Sequence, residues 1–133
     1  MKKLLLAVAF AASGLVFNAF AYADGAAVSE ISVSAVQAFV AAKAPNVAII
    51  DANNAEARAD VGTVPGAILL TSYNQYALTE LPKDKAKTLV FYCYNDYCQA
   101  SDAAAKRAIA AGYKDARVMK AGIVGWNAAN KKT

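Results

Sequence analysis

Apolar side chains recur at two different spacings along the chain, and the two spacings predict different elements. Within residues 32–44, Val36, Phe39 and Val40 fall at positions i, i+3 and i+4, which places them on one face of a helix. Short runs rich in β-branched and aromatic residues indicate buried strands instead. Four such runs occur, at residues 46–51, 67–70, 88–92 and 116–119.

Helical segments are predicted between and after these strands. A short helix is predicted at residues 71–81, a longer one at residues 99–112 that ends at Gly112, and a final one at residues 123–130 that carries Trp126. Alternating strands and helices are typical of an α/β protein with a mostly parallel sheet and helices on both faces. We therefore expect a central sheet of about four to five short strands.

The first 23 residues have the layout of a secretory signal peptide. Lys2 and Lys3 precede a long apolar run, and the alternating small residues Ala19, Ala21 and Ala23 predict cleavage before Asp24. The alternative is a retained membrane anchor, because the apolar run approaches the length that spans a bilayer. After cleavage, residues 24–133 form one domain of 110 residues, which we expect in the periplasm without stable membrane insertion.

Charge and histidine content exclude several classes of function. Lys2 and Lys3 supply two of the four excess positive charges, so the exported domain carries only +2 and favours neither nucleic acid nor an acidic membrane surface. The chain has no histidine, which excludes Ser-His-Asp and Cys-His catalysis and zinc sites with imidazole ligands. We expect no metal and no cofactor. Catalysis would depend on sulfur, carboxylates, amines or backbone dipoles.

The only two cysteines, Cys93 and Cys98, lie five positions apart. Cys93 directly follows the strand predicted at residues 88–92 and precedes the helix predicted at residues 99–112. Ligands of parallel α/β proteins collect beyond the carboxyl ends of the strands, so Cys93 lies where a reactive group is expected. The alternative is a buried core thiol, a common environment for cysteine.

Four stretches, in order along the chain, resemble the landmarks of a single-domain rhodanese, a sulfurtransferase-type domain. They are "IID" at 49–51, the turn "GTVPGA" at 62–67, "LVFYC" at 89–93 and the closing "AAGYKDARVMKAGIVGW" at 110–126. Thr63 replaces the histidine of the family's turn, and Ala121-Gly122 replaces its Gly-Gly. The resemblance extends over residues 31–130 and implies the rhodanese-like α/β fold.

The resemblance also implies that Cys93 takes up sulfane sulfur as a persulfide, and that residues 94–98 form a loop whose backbone N–H groups surround that sulfur. The residues between the cysteines are Tyr94, Asn95, Asp96 and Tyr97. The arginine and glycine that the family loop often contains are absent, and Asn53 replaces the arginine that often follows the motif aspartate. The chain is more similar to relatives whose loop is closed by a second cysteine, here Cys98.

The composition of this loop bears on the sulfur donor and acceptor. Reaction requires a Cys93 thiolate, which the loop amides and the amino end of the next helix stabilise. The loop has no lysine or arginine, and the Asp96 carboxylate repels both a thiolate and an anion such as thiosulfate. We therefore expect a polysulfide or persulfide donor and a thiol acceptor. Tyr94 and Tyr97 either contact these partners or pack at the rim of the loop.

Three interpretations of Cys98 stay open. In the first, it attacks a persulfide on Cys93, which releases sulfide and forms a disulfide. In the second, it forms that disulfide for stability, although so small a ring contributes at most about 2 kcal/mol. In the third, it is a small buried residue at a helix start.

Two alternative functions use the same residues: a dithiol/disulfide redox protein and a non-catalytic binding domain. A phosphatase is disfavoured, because the phosphatase loop ends in an arginine that holds phosphate.

Other polar residues have structural interpretations. Asp51, at the carboxyl end of a strand, either tunes the site or ties the following loop to backbone amides. Glu56, Arg58 and Asp60 are predicted to form a solvated turn. Ser101 is predicted to cap a helix, since no base accompanies it. The oligomeric state stays open.

Overall fold

The computed structural model describes residues 28–131, and it contains one five-stranded parallel sheet. The strands are β1 (Ser29–Glu30), β2 (Val47–Asp51), β3 (Ile68–Leu69), β4 (Thr88–Tyr92) and β5 (Asp115–Val118). Their order across the sheet is β1-β5-β4-β2-β3, and every neighbouring pair is parallel. The predicted α/β class with a parallel sheet of four to five short strands is confirmed.

Three α-helices connect strands, and a fourth follows β5. They are α1 (Val33–Ala42), α2 (Ala55–Val61), α3 (Ala100–Ala110) and α4 (Gly122–Ala129), and a 3-10 helix covers Leu78–Glu80. Ser32 caps α1 by accepting a hydrogen bond from the Ala35 N–H. Gly112 follows α3 at φ +97°, a left-handed conformation that glycine adopts without steric cost and that ends the helix.

Side chains of the central strand β4 alternate between two cores, one on each face of the sheet. Leu89 and Phe91 pack with the α3 side, whereas Val90 and Tyr92 pack with the side covered by α1 and α4. The α3 side is lined by the small residues Ala104, Ala105 and Ala108, all fully buried. Because alanine has so short a side chain, α3 lies close to the sheet, and its first turn lies close to the end of β4.

The register of the strands aligns the ends from which the site is built. Asp51 pairs with Tyr92, and Phe91 pairs with Val118, so β2, β4 and β5 end at the same edge of the sheet. The residues that follow these ends lie side by side. Cys93 therefore lies at the carboxyl edge, where the sequence predicted it.

Two predicted segments differ from the structure. The helix predicted at residues 71–81 is wrong apart from the 3-10 turn: the Glu80 carboxylate accepts hydrogen bonds from the Thr71 and Ala77 N–H groups and holds the segment in turns. The solvated turn predicted around Arg58 is helix α2, which Asn54 caps by accepting from Ala57 N–H at 2.8 Å. No residue of α2 is fully buried, so its sequence carries no apolar periodicity.

The predicted signal peptide, residues 1–23, lies outside the described residues 28–131. Within that described part, no helix is long and apolar enough to cross a membrane.

Candidate active site

A disulfide joins Cys93 and Cys98 in the segment between β4 and α3, with the two Cα atoms 6.2 Å apart. The intervening residues form a tight turn around Asn95. The Cys98 N–H donates to the Asn95 carbonyl at 3.0 Å, and the Tyr97 N–H donates to Asn95 Oδ1 at 3.1 Å. Asn95 thus sets the turn that brings the two sulfur atoms together.

The sulfur of Cys93 is buried and receives two hydrogen bonds from one residue. Cys93 is only 2% exposed, and its Sγ accepts from the Ser101 hydroxyl at 3.2 Å and from the Ser101 N–H at 3.4 Å. Ser101 lies in the first turn of α3, where the helix dipole presents its positive end. The first turn of α3 therefore directs two donors and a favourable field at the Cys93 sulfur.

Ser101 is a site residue that the sequence interpretation missed, since it predicted only a capping role. Its hydroxyl caps no backbone group in the described chain and points instead at Cys93. The missed signal is the spacing: a residue eight positions after a strand-end cysteine falls in the first turn of the next helix. By contrast, residues 94–98 donate no hydrogen bond to Cys93 Sγ in the described disulfide form. The N–H groups of Tyr97 and Cys98 donate to Asn95 instead.

The amino end of α4 holds the loop from the other side. The Ile123 N–H donates to the Cys93 carbonyl at 2.9 Å, and the Val124 N–H donates to the Tyr94 carbonyl at 3.0 Å. Gly122 precedes them at φ +62°, and a Cβ at this position would lie 2.5 Å from the Tyr94 carbonyl carbon. Only glycine fits so close to the loop backbone in that conformation. The close approach of the loop backbone explains why position 122 is a glycine.

Asp51 belongs to a buried network beneath the loop rather than to the sulfur site. Its carboxylate accepts from the Asn53 N–H at 2.7 Å and from the Tyr92 hydroxyl at 2.6 Å, and Arg58 Nε lies 3.3 Å away. The Tyr92 hydroxyl in turn accepts from the Val64 N–H at 3.0 Å. Burial, together with the hydrogen bond to Asp51, raises the pKa of Tyr92. In the described chain, no hydrogen bond connects Asp51 to either cysteine.

Arg58 is therefore not the solvated residue that the sequence predicted. Its guanidinium donates to the Asp51 carbonyl at 3.0 Å and to the Leu70 carbonyl at 2.9 Å, besides the ion pair with the Asp51 carboxylate. Its side chain is 16% exposed. Because α2 turns Arg58 back over the ends of β2 and β3, the arginine links the two strands. Helical geometry, which the sequence did not indicate here, causes this contact.

The loop between the cysteines exposes aromatic and charged side chains, and a groove lies next to α3. Tyr97 is 90% exposed, Tyr94 is also exposed, and Asp96 faces solvent between them. A groove of about 740 Å³ lies beside the first turn of α3. Its lining includes Tyr73, Gln99, Asp102, Lys106 and Lys120.

Lys120 supplies a cation that the loop sequence lacks. It precedes α4 and pairs with Asp102 of α3 through an Nζ–Oδ2 distance of 2.7 Å. Asp102 directly follows Ser101 and belongs to the same first turn of α3. Pairing with Lys120 compensates a negative charge that would otherwise disfavour a thiolate on Cys93.

The parallel sheet and the cysteine at the end of β4 define an α/β domain with a disulfide at its strand ends. The family model for the Rhodanese-like domain matches residues 34–129. The chain belongs to the rhodanese-like domain family.

Solved structures share this fold. A Bacillus halodurans protein matches with a TM-score of 0.67 at 20% identity, covering 78% of this chain and 74% of the other. A Rhodopseudomonas palustris protein of unknown function, described as a possible tyrosine phosphatase, matches with a TM-score of 0.67 at 23% identity, covering 79% and 83%. The human single-domain sulfurtransferase TSTD1 matches with a TM-score of 0.60 at 22% identity, covering 77% and 97%. No curated protein is significantly similar to the chain.

Proposed function

We propose that the protein is a sulfurtransferase or sulfur carrier in which reduced Cys93 takes up sulfane sulfur as a persulfide. The observation that carries this proposal is the position of Cys93 Sγ, which lies at the end of β4 and accepts two hydrogen bonds from Ser101 in the first turn of α3. These donors and the helix dipole favour a thiolate, which is the nucleophilic form of cysteine. Family membership supports a sulfurtransferase-like activity in general.

The proposed transfer has two steps. The Cys93 thiolate attacks a terminal sulfane sulfur of the donor, forms an S–S bond and releases the shortened donor with the electron pair of the broken S–S bond. An acceptor thiolate then attacks the outer sulfur of the Cys93 persulfide, becomes the new persulfide and returns Cys93 as a thiolate. Both steps are thiol–disulfide-type exchanges and need no external oxidant.

Loop charge favours a polysulfide or persulfide as the donor. The loop between the cysteines has no cation, and Asp96 faces solvent there, so a doubly charged thiosulfate would meet a carboxylate. The acceptor is a thiol. The exposed rings of Tyr94 and Tyr97 support contact with a partner at the mouth of the site.

Cys98 resolves the persulfide in this proposal. Its thiolate attacks Cys93 Sγ, releases the outer sulfur as sulfide and forms the Cys93–Cys98 disulfide. The disulfide of the structure has the composition of that product.

We also propose that residues 1–23 direct export to the periplasm, where disulfides persist. Sequencing the amino terminus of the protein from the periplasmic and membrane fractions tests that part. We expect a periplasmic chain that begins at Asp24, and a chain that begins at Met1 in the membrane fraction contradicts the proposal.

A second candidate function is a dithiol/disulfide redox protein, and the same disulfide favours it. It predicts transfer of electrons but no transfer of sulfur. The similarity to a possible tyrosine phosphatase supports no third candidate, because the loop ends at Cys98 and the described loop contains no arginine to hold phosphate.

Mass spectrometry of the reduced protein after brief exposure to polysulfide separates these functions. We expect the mass of one additional sulfur atom on Cys93, retained in Cys98→Ser and absent in Cys93→Ser. In the wild type, the added sulfur should disappear as the disulfide and free sulfide form. If the wild type forms the disulfide but Cys98→Ser gains no sulfur, the result favours the redox function. No reaction at either cysteine indicates a binding domain.

A further inference from the structure

The two halves of the disulfide differ in their surroundings. Cys93 is 2% exposed, packs in the core and accepts two hydrogen bonds from Ser101, which is itself 1% exposed. Cys98 is only partly buried, and its neighbours Tyr97 and Gln99 are exposed. An incoming molecule therefore meets Cys98 first, whereas the core and the first turn of α3 shield Cys93.

We propose that an external thiolate opens this disulfide at Cys98 and expels Cys93 as the leaving thiolate, with Ser101 holding the leaving sulfur. The thiolate RS⁻ bonds to Cys98 Sγ, the Cys98–Cys93 bond breaks, and its electron pair goes to Cys93 Sγ. A second thiolate attacks the RS sulfur, forms RSSR and releases Cys98 as a thiolate. Two thiols thereby supply the two electrons, and both cysteines end reduced.

The direction of this exchange follows from the stabilisation of the leaving group. Thiol–disulfide exchange is faster when the departing sulfur is the more stable thiolate, and it requires access to the sulfur under attack. The hydroxyl and N–H of Ser101 strengthen as donors when the sulfur becomes charged, and the amino end of α3 adds a favourable dipole. Attack at Cys93 has neither advantage: the sulfur is buried, and the leaving Cys98 thiolate would lie beside the turn that contains Asp96.

The inference goes beyond the proposed function, because it concerns how the closed loop is opened and uses no sulfur donor. If a persulfide forms on Cys93, the same step regenerates the reactive cysteine after each resolution by Cys98. If none forms, the step describes the direction of electron entry into a redox pair. The substrate class is a thiol in either case.

Mapping the mixed disulfide tests the direction. Protein oxidised with diamide is exposed briefly to 2-mercaptoethanol, quenched in acid and treated with a maleimide. Both cysteines lie in the tryptic peptide of residues 88–106, so fragment-ion spectra must locate each group. We expect mercaptoethanol on Cys98 and maleimide on Cys93 in at least about tenfold excess over the reverse, which corresponds to about 1.4 kcal/mol. Equal adducts, an excess on Cys93, or a failure of diamide to form the disulfide overturns the proposal.

Ser101→Ala isolates the contribution of the hydroxyl. Because this variant keeps the backbone N–H, we expect attack still at Cys98, with an opening rate lowered by about three- to tenfold. In the Cys98→Ser background, the same change should move the pH profile of Cys93 alkylation to higher pH, which a purely structural role would not do. Ser34→Ala, at an exposed serine of α1, is the matched control. An unchanged opening rate and pH profile in a folded Ser101→Ala protein contradict the role of Ser101.

Neither experiment depends on persulfide chemistry. Selective attack at Cys98 in a protein that never gains sulfur from polysulfide refutes the sulfurtransferase and retains this inference. Persulfide formation together with unselective opening of the disulfide refutes this inference and retains the sulfurtransferase.

Discussion

Gly122 lies directly against the peptide that joins Tyr94 to Asn95. A Cβ on Gly122 would approach the Tyr94 carbonyl oxygen to 2.5 Å and the Asn95 nitrogen to 2.7 Å, and the glycine itself adopts φ +62°. The next N–H groups, of Ile123 and Val124, bind the carbonyls of Cys93 and Tyr94. The amino end of α4 and the cysteine loop thus form one rigid backbone contact.

We expect Gly122→Ala to destabilise the fold more than Gly66→Ala. Gly66 also has positive φ, +78°, but a Cβ there meets nothing within 4 Å, so it reports the conformational cost alone. That cost is about 1–2 kcal/mol. The clash at Gly122 should add at least about 1 kcal/mol in urea unfolding and change the alkylation rate of reduced Cys93. Equal losses in the two variants would mean that the loop moves aside without cost.

Tyr92→Phe should lower the free energy of unfolding by about 1–3 kcal/mol, because the Asp51 carboxylate and the Val64 N–H each lose a buried hydrogen-bond partner. Tyr97→Phe is the matched control, since its ring is 90% exposed. It should leave stability within about 0.5 kcal/mol of the wild type. Chemical unfolding measures both. A neutral Tyr92→Phe would contradict the importance of this network.

Lys120→Met should make reduced Cys93 less reactive. Loss of the cation leaves the Asp102 carboxylate unpaired in the first turn of α3, the turn that also holds Ser101, and an unpaired carboxylate there raises the energy of a Cys93 thiolate. In a Cys98→Ser background we expect iodoacetamide to react about two- to fivefold more slowly near neutral pH. The further change Asp102→Asn should restore the rate. Lys106→Met, in the same groove, is the control; an equal effect of both lysine variants would indicate only the general surface potential.

Alkaline pH should destabilise the fold through its buried tyrosines. Burial raises the pKa of Tyr76 from 10.0 to about 12. A folded-state pKa above the unfolded value contributes stability that is complete below pH 10 and is lost as the pH rises through about 12. Unfolding free energies measured across this interval should fall less steeply in Tyr76→Phe than in the wild type. Parallel curves for the two proteins would contradict the shift.

Local sequence patterns determined the elements that bury a regular face. The strand predicted at residues 88–92 matches β4, and the helix predicted at residues 99–112 matches α3 to within two residues at either end. Strand ends and glycines are local features, so the place of Cys93 beyond β4 could also be predicted. Where the pattern was missing the prediction was wrong: α2 buries no residue, and residues 71–77 are held by the Glu80 carboxylate.

The environment of Cys93, by contrast, was decided by tertiary structure. Ser101 reaches the sulfur because α3 packs close to the sheet, and Lys120 reaches Asp102 because β5 lies next to β4. Gly122 contacts Tyr94 across 28 positions of sequence. A sequence pattern records which face of an element is apolar, but it does not record which elements share an edge. The position of Cys93 could therefore be predicted from the sequence alone, whereas the Ser101 donors to its sulfur and the Lys120–Asp102 pair depend on the register and packing of the parallel strands.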